Sequence, residues 1–228
     1  MSQKTGHDRP LPADGAPASH AEIGPRLRHE RQRQGVSLRR LAARLDLSPS
    51  ALSQIELGRS RPSVRTLYAI VTELDISMDQ LLSDDQPAST DADSESAETA
   101  GPPVTQIVTR FKDRKRLDFD TGAHWERLNP PGDRDVDVQE AVYEVGGASC
   151  PPGMYMRHEG REYGVIISGR LKVAVGLDEY VLDPGDAICF DSQTPHRLET
   201  VGDEPVRAMW FVIGRKLDGR VNWPESAG

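Results

Sequence analysis

The sequence predicts a multi-domain chain of α plus β class, with an all-α unit in front and an antiparallel β-barrel behind. Three observations carry this. Residues 21–82 place apolar side chains at helical spacing, between serines and glycines that start and stop short helices. Residues 83–103, SDDQPASTDADSESAETAGPP, contain no large apolar residue. After Val104, short runs rich in Val, Ile, Tyr and Phe recur between Gly/Pro turns, the spacing of a small sandwich or barrel.

Residues 1–20 are rich in Pro, Ala, Gly and Asp and show almost no apolar period, which predicts a disordered tail. The first helix begins near Glu22, sets Ile23 and Leu27 one turn apart, and stops at Gly35. The second opens on Ser37 as N-cap and turns Leu38, Leu41, Ala42 and Leu45 inward, leaving Arg39, Arg40 and Arg44 outside. Asp46, Leu47 and Ser48 make a turn. Ser48 caps the third helix, Pro49 takes its first position, and Gly58 ends it. Leu52 and Ile55 face inward there, while Ser50, Ser53 and Gln54 point largely away. The fourth helix runs from Ser63 and buries Leu67, Ile70, Val71 and Leu74. The fifth starts at Ser77 and Gln80, a capping-box pair. Two short helices across a three-residue turn, with arginines outside, form the outline of a helix-turn-helix that sets its second helix in the major groove of DNA.

The acidic stretch 83–103 reads as a flexible linker with an average span of ~25 Å as a random coil. Beyond it the expected strands are VQEAVYEV, YGVIISG, RLKVAVG, EYVL, DAICF and RAMWFVI, with a short hairpin at Gly176. The expected boundaries are therefore a tail at 1–20, a helical domain at 21–82, the linker at 83–103 and a barrel at 104–222.

A net charge of −8 looks wrong for a DNA binder until it is divided. Residues 21–82 carry ten arginines against seven acids, a local +3, and all ten lie between Arg26 and Arg65 with only three acids among them. Residues 83–103 carry six acids and no base. Local charge governs contact with phosphate. No apolar run approaches 18 residues and the start of the chain lacks a signal peptide's apolar stretch, so no membrane partner is expected. The two cysteines, Cys150 and Cys189, do not make a disulfide framework; both are expected to be buried small side chains in a reducing cytoplasm.

With SLRRLA at the second helix, SPSALSQIE at the third and GRSRPS at its exit, residues 23–82 resemble the lambda-repressor-like, or XRE-type, DNA-binding domain. The resemblance implies that Ser50 and Gln54 face base edges with Pro49 and Ser53 nearby, and that Arg39, Arg59 and Arg61 meet phosphates. Chemically, Gln54 can pair with adenine N6 and N7, whereas Ser50 is a less selective donor or acceptor. It also implies a structural ion pair between Arg31 and Glu56, and a homodimer reading two half-sites of a double-stranded DNA operator.

Residues 104–213 resemble a cupin, through His158-Glu159-Gly160-Arg161-Glu162 followed by Gly169, and through Pro184-Gly185-Asp186 followed by Pro195-His196. The whole layout resembles XRE-type regulators with a C-terminal cupin sensor. Metal-binding cupins place His-x-His and then Glu on one strand, and a further His on another. In an unbroken strand residues 156, 158 and 162 share one face. Here Met156 stands where the first histidine would be, and a thioether is a poor ligand for Fe, Mn or Zn. Asp191 and Thr200 replace the usual Pro and Asn of the second motif. His158, Glu162 and His196 remain as candidate ligands for a divalent metal, the two-His-one-carboxylate set of non-haem iron sites. Alternatively, Met156, His158, Glu162 and His196 line a metal-free pocket for an organic ligand. A further reading makes them remnants packed in a barrel. Tyr155, Tyr163, Phe190 and Trp210 are expected in the barrel core or pocket wall.

Three functions follow from these readings. The first is a cytoplasmic transcriptional regulator whose cupin senses a small-molecule effector. The second is a non-haem-iron enzyme laid out like hydroxypropylphosphonate epoxidase. In the third, the cupin only dimerises a DNA-binding protein.

Overall fold

The structure, a computed structural model, describes residues 20–76, 78–82, 107–130 and 136–214. The expected tail apart from His20, the acidic linker, Ser77 of the capping pair and the outer limits of the barrel domain at 104 and 222 lie outside these residues.

Five helices form the front unit: α1 (His20–Arg33), α2 (Leu38–Arg44), α3 (Pro49–Glu56), α4 (Val64–Glu73) and α5 (Met78–Leu82). Serines start three of them. Ser37 Oγ accepts from Arg40 N–H at 3.2 Å, Ser48 Oγ from Ala51 N–H at 3.1 Å, and Ser63 Oγ from Thr66 N–H at 3.1 Å. Each satisfies a donor that the first helical turn leaves without a partner, worth ~1 kcal/mol. After α1 and α3 the chain turns through Gly35 and Gly58, both at φ +66, where a side chain would be strained. Asp46 in the α2–α3 turn also holds a positive φ of 54, which a short polar side chain tolerates better than a branched one.

The inward faces are those read from the spacing: Leu27, Leu41, Ala42, Leu52, Ile55, Leu67, Ile70, Val71 and Leu74 are buried. Leu38 and Leu45 are only half-buried, because α2 is short and they flank its contact stripe. The expected Arg31–Glu56 pair is present and closed on both arms, Nε to Oε1 at 2.6 Å and Nη2 to Oε2 at 2.8 Å, with both side chains buried. It bolts α1 to α3, and the same guanidinium donates to Val36 O at 2.8 Å.

The second unit is antiparallel throughout. Its strands are β1 (Arg116–Asp118), β2 (Ala123–Arg127), β3 (Val136–Tyr143), β4 (Arg161–Ser168), β5 (Arg170–Val175), β6 (Asp178–Leu182), β7 (Ala187–Asp191), β8 (His196–Val201) and β9 (Val206–Ile213). They make a six-stranded sheet in the order β1-β2-β3-β9-β4-β7 and a three-stranded sheet in the order β6-β5-β8. Burial alternates strictly along β9, putting Val206, Ala208, Trp210 and Val212 inside. On β4 the even positions Glu162, Gly164 and Ile166 face in, opposite Val212, Trp210 and Ala208 of β9. At Gly164 a Cβ would come within 2.0 Å of the Trp210 ring, so the indole occupies the space of the missing side chain. The hairpin at Gly176 joins β5 to β6 as expected.

Several expectations need correction. Met156 does not belong to the strand that carries Glu162: it makes an isolated bridge with His196, and the chain bends at Glu159 and at Gly160, φ +105, before β4 begins. Cys189 is exposed, because β7 turns it to the outer face opposite Tyr163, whereas Cys150 is buried. Tyr155 is 43% exposed rather than core. Phe190 and Trp210 are buried, and Tyr163 is intermediate. The strands β1, β2 and β8 were not among the expected runs.

Candidate functional site

The α3 face comes first. Pro49 and Ser50 are exposed at the start of the helix, while Ser53 and Gln54 are half-buried one turn further on. Arg39 on α2 and Arg59 and Arg61 after α3 are exposed as well. Other arginines of this unit are occupied: Arg31 by Glu56, Arg33 by Glu30 and Arg44 by Glu73. Among the described residues, Arg39, Arg59 and Arg61 have no carboxylate partner. Five of the seven predicted residues are thus exposed and Ser53 and Gln54 are half-buried, with guanidinium groups left available for anions.

The second candidate site lies inside the barrel. Three elements meet there: the segment before β4 carries His158, β4 carries Glu162, and the first residue of β8 is His196. All three side chains are buried, His196 completely. His158 Nε2 lies 2.9 Å and His196 Nε2 3.1 Å from the same oxygen, Glu162 Oε1. The distances would suit hydrogen bonds but the directions do not, and these three atoms are buried without a hydrogen-bond partner. Their candidate ligand atoms lie within 4.8 Å of one another.

The other side of each group explains why. His158 Nδ1 is 2.9 Å from Glu159 O and His196 Nδ1 is 2.9 Å from Thr194 O. A carbonyl only accepts, so each Nδ1 carries a proton, and in the neutral ring it is the Nε2 lone pair that faces the centre. Trp210 Nε1–H donates to Glu162 Oε2 at 2.7 Å, leaving Oε1 for the centre. In that form three lone pairs converge with no N–H among them. Such a set fits a cation, either a shared proton or a divalent metal, and carbonyl-anchored imidazoles are the usual support of metal-binding histidines. Burial pushes the Glu162 carboxyl upward, but pairing with the two imidazoles when they carry a proton on Nε2 outweighs it and holds the group well below the ordinary carboxylate range. Burial pulls His196 down, and Glu162 more than compensates, so its net shift is upward.

Met156 sits across from His196, sharing two backbone hydrogen bonds of 2.9 Å with it, and is buried. Among the described residues, the cluster able to hold a metal comprises His158, Glu162 and His196. The departures from the second cupin motif have structural work instead. Thr200 Oγ1 donates to Glu144 O at 2.8 Å, and Asp191 Oδ1 accepts from Gln193 N–H at 2.8 Å. Phe190 lies 5.0 Å from the His196 ring and forms a wall.

Sequence reasoning missed Tyr68. This α4 residue is buried and stacks on the His158 imidazole, with ring centroids 4.2 Å apart and planes 8° apart. The available signal was an aromatic beside the predicted core stripe of α4. A separate cavity of about 10 Å³, room for a single water, lies between α5 and β1–β3 beside Met78, Leu117 and Trp125, away from the triad.

Comparison with known proteins agrees with both units. Residues 27–81 match the helix-turn-helix family model, and residues 139–212 match the cupin domain model. The chain is a helix-turn-helix protein with a C-terminal cupin domain. It is 24% identical over 173 residues to the HTH-type transcriptional regulator PuuR of Escherichia coli, covering 76% of this chain and 84% of that one. A transcriptional regulator of the HTH_3 family from Vibrio cholerae has the same fold, with a TM-score of 0.60 at 21% identity over 87% of this chain and 98% of that one. Hydroxypropylphosphonic acid epoxidase from S. wedmorenis aligns with a TM-score of 0.40 at 16% identity, over 86% of this chain and 98% of that one. A score that low carries no argument about this protein.

Proposed function

We propose that this protein is a sequence-specific DNA-binding transcriptional regulator that works as a cytoplasmic homodimer and whose cupin domain answers to a small-molecule effector. One observation carries the reading: α3 carries Ser50, Ser53 and Gln54, and Arg39, Arg59 and Arg61 stand exposed without carboxylate partners on the same domain, which matches the helix-turn-helix family. Gln54 and Ser50 would read base edges, and Arg39, Arg59 and Arg61 would hold phosphates. A single unit of this size makes few phosphate contacts, which favours two copies on two half-sites. The PuuR likeness, spanning both domains, supports the regulator over an enzyme. No helix among the described residues is long and apolar enough to cross a membrane.

A second reading, a metal-dependent oxygenase, has one observation in its favour: two imidazoles and one carboxylate converge in a buried site. His158, Glu162 and His196 would hold the metal, which when bound supplies a Lewis acid with open positions. This chain's residues would orient it through Trp210 and the two carbonyl anchors.

Selection from random duplexes by the full-length protein tests the proposal. We expect an enriched motif of two half-sites about one helical turn apart. Recovery of unselected sequence at moderate salt would overturn it.

A further inference from the structure

The cupin centre is closed by the other domain. Tyr68 belongs to α4, in the helix-turn-helix unit, yet its ring lies flat on His158 and meets Trp125 edge-on at 5.5 Å. The contact is anchored on both sides. Arg65 N–H donates to Ser149 O at 3.3 Å, Arg65 Nε to Tyr155 O at 3.1 Å, and Asp120 N–H to Pro62 O at 3.3 Å. The cupin segment these bonds hold, residues 149–156, leads directly into Met156 and His158. On the other side, Pro62 follows Arg59 and Arg61 at the exit of α3. A short path of chain links and inter-domain hydrogen bonds thus runs from the proposed phosphate-binding arginines, through Pro62 and Arg65, to the segment that enters the triad.

The geometry separates two ways of occupying the centre. A metal ion meets His158 at Nε2, on the ring edge, whereas Tyr68 covers the ring face. Both can bind at once, and an imidazole fixed by a metal is a better-ordered surface for stacking.

We propose that Tyr68 is a positioning residue of the cupin site contributed by the DNA-binding domain, so that a divalent cation on His158, Glu162 and His196 favours the docked arrangement of the two domains. This rests on the regulator reading for its purpose but not for its physics. Linkage makes the effect reciprocal: the factor by which docking tightens metal binding is the factor by which metal tightens docking. One stacked aromatic pair supports a factor of about 2–10.

The test uses the full-length protein stripped of metal by chelation, with Zn(II) as probe because it is diamagnetic. The exposed native Cys189 takes one nitroxide label and Thr72→Cys, exposed one turn beyond Tyr68 on α4, takes another; labelled protein is diluted with unlabelled protein so that distances come from one chain. We expect Zn(II) to narrow the distance distribution between the labels. We also expect Tyr68→Ala to weaken Zn(II) binding about 2–10-fold and abolish the narrowing, with Tyr68→Phe keeping both. An unchanged distribution on Zn(II) saturation of the wild-type Tyr68 protein overturns the proposal without recourse to any Tyr68 variant. So does Zn(II) affinity equal in Tyr68→Ala and wild type. Either failure leaves sequence-specific DNA binding untouched, whereas loss of that binding alone leaves the linkage standing.

Discussion

Gly164→Ala is the sharpest single perturbation of the cupin centre. The new methyl carbon would stand 2.0 Å from Trp210 Cζ3 and 2.5 Å from Cε3 and Cη2, on a ring that is 3% exposed. Backbone pairing of Gly164 with Trp210 across β4 and β9 keeps the strands from separating, so the indole must tilt. Overpacking of this kind costs about 1–3 kcal/mol. The tilt also breaks the 2.7 Å bond from Nε1 to Glu162 Oε2, and losing a hydrogen bond to a charged acceptor adds about 1.5–3 kcal/mol. The cupin transition should fall by roughly 10 °C or more in calorimetry of the metal-stripped protein. With Glu162 no longer oriented, Zn(II) affinity in competition with a chromophoric chelator should drop about 10–100-fold. Trp210→Phe removes the donor without the clash and should reproduce most of the metal effect at a smaller cost in stability. Wild-type melting and Zn(II) affinity in Gly164→Ala would refute the assignment of Trp210 as the group that orients Glu162.

Other perturbations address the helical unit. Glu56→Gln leaves the Arg31 guanidinium buried without its counter-charge and with one of its three acceptors gone, a loss of about 3–5 kcal/mol that should lower the helical transition by 10 °C or more in circular dichroism. Replacing both partners, Arg31→Met with Glu56→Leu, should recover most of that. On a selected operator, Gln54→Ala should relax preference at one position by about 1–3 kcal/mol while changing total affinity less. Arg59→Ala should weaken all sequences alike and reduce the salt slope by about one in quantitative binding titrations.

Much of the molecule was legible in the sequence where local chemistry decides. Ser37, Ser48 and Ser63 announced helix starts, and apolar offsets marked the helical core, because capping and periodicity act within a few residues. His158, Glu162 and His196 were legible as a set through motif order, although they come together from three elements. The path between them was not: the bend at Glu159 and Gly160 replaces the continuous strand that parity arguments assumed. Strands β1, β2 and β8 escaped because RLD, AHWER and HRLETV are polar and owe their order to their partners. Tyr68 escaped for the same reason at larger scale. Its burial is created by a domain more than fifty residues away in the chain, and no local pattern in α4 encodes that neighbour.

DNA recognition by the full-length protein is the most direct test. Fluorescence anisotropy of the full-length protein, at about 150 mM salt, should be compared between the selected two-half-site duplex and a shuffled duplex of equal length and composition. We expect a preference of about 10³-fold or more for the selected duplex, lost when Gln54 and Ser50 are both replaced by alanine. Equal affinity for the two duplexes would contradict it.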